Sequence, residues 1–300
     1  MNGRSEGITA DELRAVNLPR RKALNRGMEL LATLTALIAV GLLVIVTWSV
    51  AKRGASALDW NLLTKDPKLF DFTGAPQGLA NAFAGSLVLV GLATAMALPV
   101  GILVAVYLTE FAPVPVRTVV SLALDVLNGI PAIVIGIFVF GLLVVGHGQS
   151  GLKGAFALAC LMLPLVARAT MEVLLLVPSS LREASLGLGV PRWRTTLSIV
   201  LPQTIGGVLT GTVLAVARVA GETAPLLFTS SLVSGRTDWN PSHALQSIPV
   251  AIFELSESPD PQDHARAWAA ALVLLLFILC ASLAARWLAT RSRRRLSTSR

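Results

Sequence analysis

Residues 181–203 read LREASLGLGVPRWRTTLSIVLPQ, and they stand between two long apolar runs. From Glu183 to Leu188 the chain can form a short helix that carries Ala184 and Leu188 on one face. Gly189 allows a left-handed exit from that helix, and Pro191 cannot continue it. The expected product is a small rigid knob. Such a knob suits a groove on a partner protein, where small side chains permit close approach. The alternative is an amphipathic helix lying in a membrane interface, with Trp193 and the arginines at the headgroups.

Working outward, the flanking chain is unlike a soluble domain. Of the 300 residues, 54% are hydrophobic and 14% charged, with a mean hydropathy of +0.71, whereas soluble domains carry about 25% charged residues. Six runs, at about 29–50, 81–108, 118–145, 154–177, 205–230 and 267–290, match the roughly 20 residues a membrane-crossing helix needs. The expected architecture is therefore an all-α polytopic membrane protein. It divides into a polar tail (1–28), a transmembrane domain (29–290) with the loop at about 178–203, and a basic tail (291–300). The first run is too long for the apolar core of a signal peptide and follows a polar tail, so it reads as an uncleaved span.

Alternate sides of the six runs differ in charge. One side holds Arg4, Arg14, Arg20, Arg21, Lys22, Arg26, Arg117, Arg168, Arg182, Arg192, Arg194, Arg286, Arg291, Arg293, Arg294, Arg295 and Arg300, seventeen in all. The other holds Lys52, Arg53, Lys65, Lys68, Lys153, Arg236 and Arg266. Both termini and the 181–203 loop are therefore expected in the cytoplasm. The net charge of +8 is explained by this topogenic clustering rather than by nucleic acid. Outer acids such as Asp71 and Asp238 read as solvated surface.

Two features invite a chemistry that their details exclude. The stretch GHGQSGLKG at 146–154 resembles a phosphate-cradling loop, but Leu152 occupies the lysine position and Gly154 that of the metal-binding hydroxyl. ATP is therefore not expected to bind this chain. His147, His243 and His264 lack metal-ligand spacing, and Cys160 and Cys280 sit in apolar runs as small hydrophobes.

Prolines interrupt the runs at Pro99, Pro131, Pro164 and Pro225, and the last three are expected to kink their helices. Arg218 and Glu222 lie four apart within the fifth run, where a charge near the midplane costs at least ~2.5–3.5 kcal/mol. They are expected to form an ion pair on one helical face, in a substrate pathway or at a helix interface. Pro225 cannot donate to the carbonyl of Gly221, so the helix should loosen beside this pair and expose polar backbone to a cavity. Arg168 in the fourth run is a second pathway candidate, and the role of Asp125 is left open between a cavity and an interface.

The loop now carries a resemblance. Glu183, Ala184 and Ser185, three residues, Gly189, nine residues, Ile199, one residue, Leu201 and Pro202 resemble the EAA loop of ABC importer permeases. Ser185 stands where that pattern has its second alanine. GIPAIVIGIF at 129–138 and AGETAPLLFTS at 220–230 are similar to PstA-type permeases of phosphate ABC importers. The resemblance implies a type I importer (MetI-like) fold with Glu183, Ala184, Ser185 and Gly189 coupling to a separate ATPase. It further implies a PstC-type permease, a PstB-type ATPase dimer that holds ATP and Mg, and a PstS-type phosphate-binding protein. The family also places a functional arginine in the fifth span, where Arg218 stands. The expected function is that of a permease subunit of an ATP-driven phosphate importer in the plasma membrane of a prokaryote. The variant is another oxyanion. A different class, a proton-coupled secondary transporter using Arg218 and Glu222, would need neither the loop nor a partner ATPase.

Overall fold

A computed structural model describes residues 18–67, 77–231 and 235–297. Arg4, Arg14, Lys68, Asp71 and Arg300 of the charge argument lie outside them. The regular secondary structure of the described residues is all helical, and they fall into two units, those up to residue 52 and those from residue 53 on.

The first unit consists of most of α1 (Leu18–Ala55). Its helix begins about ten residues before the apolar run, because the Arg, Lys, Ala and Leu that precede the run are themselves good helix formers. Leu31 and Trp48 are each 70% exposed, the apolar surface expected of a span.

In the second unit, α2 (Trp60–Thr64) is capped by Asp59, and α3 (Ala80–Val106) ends in a π-helical turn, Tyr107–Phe111. Next come α4 (Val114–Gly129) and α5 (Ala132–Val139), the latter closing in a π-helical turn at Phe140–Val144. Then follow α6 (Gly151–Leu175), α7 (Ser179–Gly187) and α8 (Arg192–Thr195), whose π-helical turn Thr196–Val200 leads into α9 (Leu201–Val219). The chain finishes with α10 (Ala224–Thr229), α11 (Ile248–Glu257) and α12 (Pro261–Ser297). Proline sits at or just before the first turn of α4, α5, α7, α8, α10 and α11, where its missing N–H has no intrahelical partner to lose.

The core lies where α3, α6 and α9 pack together. Leu89, Ala93 and Ala97 of α3 meet Leu158, Met162 and Val166 of α6 and Ala215 and Val219 of α9. Small residues let the backbones close up, as they do in membrane bundles: a Cβ built on Gly211 of α9 falls 2.6 Å from Ala169 Cβ of α6.

Two of the six runs are not continuous helices. Around Pro131, α4 and α5 meet at 97°, so this proline breaks the third run outright instead of kinking it. The fifth run stops at Val219 and resumes at Ala224, with Pro225 opening the new helix. The reason is local. Three-residue backbone bonds, Gly221 N to Arg218 O and Glu222 N to Val219 O, tighten and end α9 before the proline is reached. Pro164, by contrast, is buried inside the continuous α6. Five helices and the one bent pair have the length and apolarity to cross a membrane.

Candidate functional site

At one end of the second unit, α7 stands at the junction of α6 and α9. Ala184 and Leu188 are exposed, Leu188 at 84%, while Glu183 beside them is also exposed. Gly189 takes φ +79°, the left-handed exit expected of it, and its N–H donates to Leu186 O at 2.9 Å. The helix therefore presents a short apolar ridge, and Trp193 adds a 54%-exposed ring with the Arg194 guanidinium 5.5 Å from its centroid.

The inner face of α7 is polar and occupied. Ser185 is only 4% exposed, and its hydroxyl meets that of Thr195 at 2.8 Å. This explains the serine in the alanine position, since it joins α7 to α8. Arg182 reaches Glu110, with Nε 3.2 Å from both carboxylate oxygens and Nη2 2.8 Å from Oε1. Its nitrogens also donate to Val177 O at 2.7 Å and Leu174 O at 2.9 Å. A cavity of about 390 Å³ opens here, lined by Glu110, Arg182, Glu183 and Arg192 among others.

The charges inside the spans are arranged differently from expectation. Arg218 occupies the last turn of α9 with its side chain exposed, and Glu222 lies partly buried in the turn after it. No ion pair joins them among the described residues. Because α9 ends at Val219, the spacing of four no longer places the two on one helical face. Arg168 of α6 instead pairs with Asp125 of α4, Nη2 to Oδ2 at 2.5 Å, and donates to Ser121 O at 2.5 Å. Asp125, whose role the sequence left open, thus faces Arg168 and remains 62% exposed. Nothing in the sequence spacing signalled this pair, nor that of Arg182 with Glu110, because each bridges helices far apart in the chain.

The opposite end is closed by polar contacts. Ser230 Oγ donates to Leu245 O at 2.7 Å and accepts from Leu245 N at 2.9 Å. Asn81 donates to Gln246 Oε1 at 2.9 Å, and Gln246 Nε2 donates to Glu254 at 2.5 Å. Burial pushes the Glu254 carboxyl above its ordinary range, with the Gln246 bond opposing. In the exposed loop, the Asn240 N–H and then His243 hold the Asp238 carboxyl below its usual range. Lys153 of the phosphate-loop lookalike spends its ammonium on backbone oxygens, His147 O at 3.2 Å and Gly148 O at 2.6 Å. A larger cavity of about 540 Å³ is lined by apolar groups with Ser86 and Thr94, a lining without charge that does not suit an anion.

Comparison with known proteins bears on this geometry. Residues 97–294 match the family model described as binding-protein-dependent transport system inner membrane component. The phosphate transport system permease protein PstA of Haemophilus influenzae is 38% identical, over 87% of this chain and 92% of its own. PstA 1 of Mycobacterium tuberculosis is 39% identical, over 84% of each. Among solved structures, a bacterial alginate ABC transporter in complex with an alginate-pentasaccharide-bound periplasmic protein aligns with a TM-score of 0.62 at 15% identity, over 91% of this chain and 96% of its own. The MetNI methionine ABC transporter aligns at 0.55 and 16% identity, over 71% and 93%. At these identities the structural likeness concerns the fold.

Proposed function

Since the chain belongs to the PstA family of phosphate transport permeases, we propose that it forms one half of the translocation pathway of an ATP-driven phosphate importer. The similarity to PstA proteins along 84% or more of the chain is the observation that carries this reading. The exposed ridge of α7 is the docking element for a separate PstB-type ATPase dimer, which binds ATP and Mg. A PstC-type permease completes the pathway, and a PstS-type protein delivers phosphate from outside. The termini and α7 face the cytoplasm of a prokaryotic cell in this reading, which the excess of arginine and lysine on that side supports.

Arg218 is the substrate-handling residue in this reading. An arginine keeps its charge at physiological pH, and contact with lipid at mid-membrane costs ~2.5–3.5 kcal/mol or more. A side chain exposed on this chain at that level therefore faces the partner permease or a water-filled path. Its planar fork gives a passing phosphate two parallel hydrogen bonds. The break at residues 220–223 interrupts the helical hydrogen-bond ladder, and irregular backbone at membrane depth is tolerated where it is buried in protein or lines a cavity. Glu222, four residues on and unpaired with Arg218, repels the anion and keeps its hold weak enough for release. Arg168 is engaged by Asp125 and is free to receive an anion only if that pair opens.

The test is uptake by the reconstituted complex. Arg218→Gln should abolish phosphate uptake with subunit association intact, and Arg218→Lys should transport poorly because one point charge replaces the fork. Wild-type uptake by a correctly inserted Arg218→Gln protein would remove Arg218 from the pathway.

A further inference from the structure

We infer that the Arg182–Glu110 pair is the strut that carries movement of α7 into the spans, making both residues positioning residues for coupling; this rests on the reading of α7 as the ATPase docking element. Three observations lead there. First, Arg182 stands on the docking helix itself, next to Glu183, yet its side chain turns away from the exposed ridge. Second, one guanidinium joins three elements: its own α7, the carboxylate at the end of α3, and the backbone oxygens where α6 ends. Nε, Nη1 and both hydrogens of Nη2 are engaged, four of the five N–H groups an arginine offers. Third, the pair is shielded, with side-chain exposures of 24% for Arg182 and 10% for Glu110. Charge-assisted bonds in such a setting are stronger than at a solvated surface.

The placement of the anchors matters as much as their strength. Leu174 O belongs to the last turn of α6, where helix carbonyls lack intrahelical partners and attract a cation, and Val177 O to the bend just after it. Glu110 sits in the π-helical turn that closes α3, beside the fully buried Leu108. Further along, α3 and α6 are packed against each other through Leu89, Ala97, Leu158 and Val166. A push on α7 therefore reaches both core helices as one body. The Ser185–Thr195 contact ties the same helix to α8 and so to α9, but with one neutral bond. Without Arg182, α7 would still dock by its exposed ridge, and it would move without pulling α3 and α6.

The experiment uses the complete complex in liposomes, with the phosphate-binding protein present, and measures phosphate uptake and ATP hydrolysis in the same vesicles. Glu110→Gln keeps the shape and accepts hydrogen bonds without charge; Arg182→Lys keeps the charge and loses the fork. In both, uptake per ATP hydrolysed should fall by roughly 5- to 150-fold, the range of ordinary coupling energies, while assembly and hydrolysis persist. A bismaleimide joining Glu110→Cys to Arg182→Cys should restore the ratio, because the link is mechanical. An unchanged ratio in Glu110→Gln would overturn the strut, and so would uptake and hydrolysis falling in parallel or failure of both variants to assemble. Absence of ATP-driven phosphate uptake in the wild-type complex is a separate result, which would overturn the function and not the strut alone.

Discussion

Gly189 shows how one residue can matter without touching anything. A Cβ built there meets no atom within 4 Å, so space is not the constraint. The backbone is, because φ +79° places a side chain against the following carbonyl at a cost of about 1–2 kcal/mol, more for a β-branched residue. Gly189→Val should therefore leave expression and insertion intact while it forces the exit of α7 to unwind, and transport should be lost. Normal uptake and normal ATP turnover in that variant would show that the exit geometry is irrelevant to docking. Neighbouring Ser185 was legible only as a departure from a pattern. Its meaning depends on Thr195, ten residues away, and spacing alone does not say that two hydroxyls will meet. Arg218 and Glu222 were legible as charges out of place, and their relation was not. The assumption of a continuous helix made them neighbours on one face, whereas the tight 4→1 bonds from Gly221 and Glu222 back to Arg218 and Val219 separate them.

At the scale of elements, the apolar runs located every long helix, because length and hydropathy decide what can cross a bilayer. They could not reveal the breaks. Proline inside an apolar run either stays in the helix, as Pro164 does, or opens a new one, as Pro225 does once the tight backbone bonds before it have ended α9. The two broken runs pack on each other: a Cβ on Gly136 of α5 would lie 2.6 Å from Pro225 Cα of α10. That neighbour is backbone at the start of a helix and has little freedom to retreat. Gly136→Leu should accordingly separate α5 from α10 and destabilise the subunit by at least the ~1–3 kcal/mol of ordinary overpacking. The check is the thermal unfolding of the purified complex in detergent, with Gly141→Leu as control, since a Cβ there meets nothing within 4 Å. Equal unfolding temperatures for the two variants would mean that the α5–α10 contact is not fixed in the assembled protein.

For the whole molecule, the open question is whether each broken run crosses the membrane or turns back within it. A bend of 97° between α4 and α5 and a four-residue break between α9 and α10 are each compatible with a re-entrant loop by geometry alone. Charge distribution favours crossing. If the fifth run turned back, Arg236 and Arg266 would share a side with Arg182, Arg192 and Arg194, and the sixth run would carry the arginine-rich C-terminal end outward, against the positive-inside rule. The contacts agree, because α7 is tied to the end of α3 through Glu110, whereas the segment after α10 is tied to its start through Gln246 and Asn81. Cysteines introduced singly, with Cys160 and Cys280 replaced by alanine, test this with a membrane-impermeant maleimide. Ser242→Cys and His147→Cys should label in intact cells with the outer barrier opened. Gly187→Cys and Val114→Cys should label only once the inner membrane is permeabilised. Labelling of Gly187→Cys and Ser242→Cys from the same side would make the fifth run re-entrant and displace Arg218 from a through-membrane path. The same result for Val114→Cys and His147→Cys would apply to the third run.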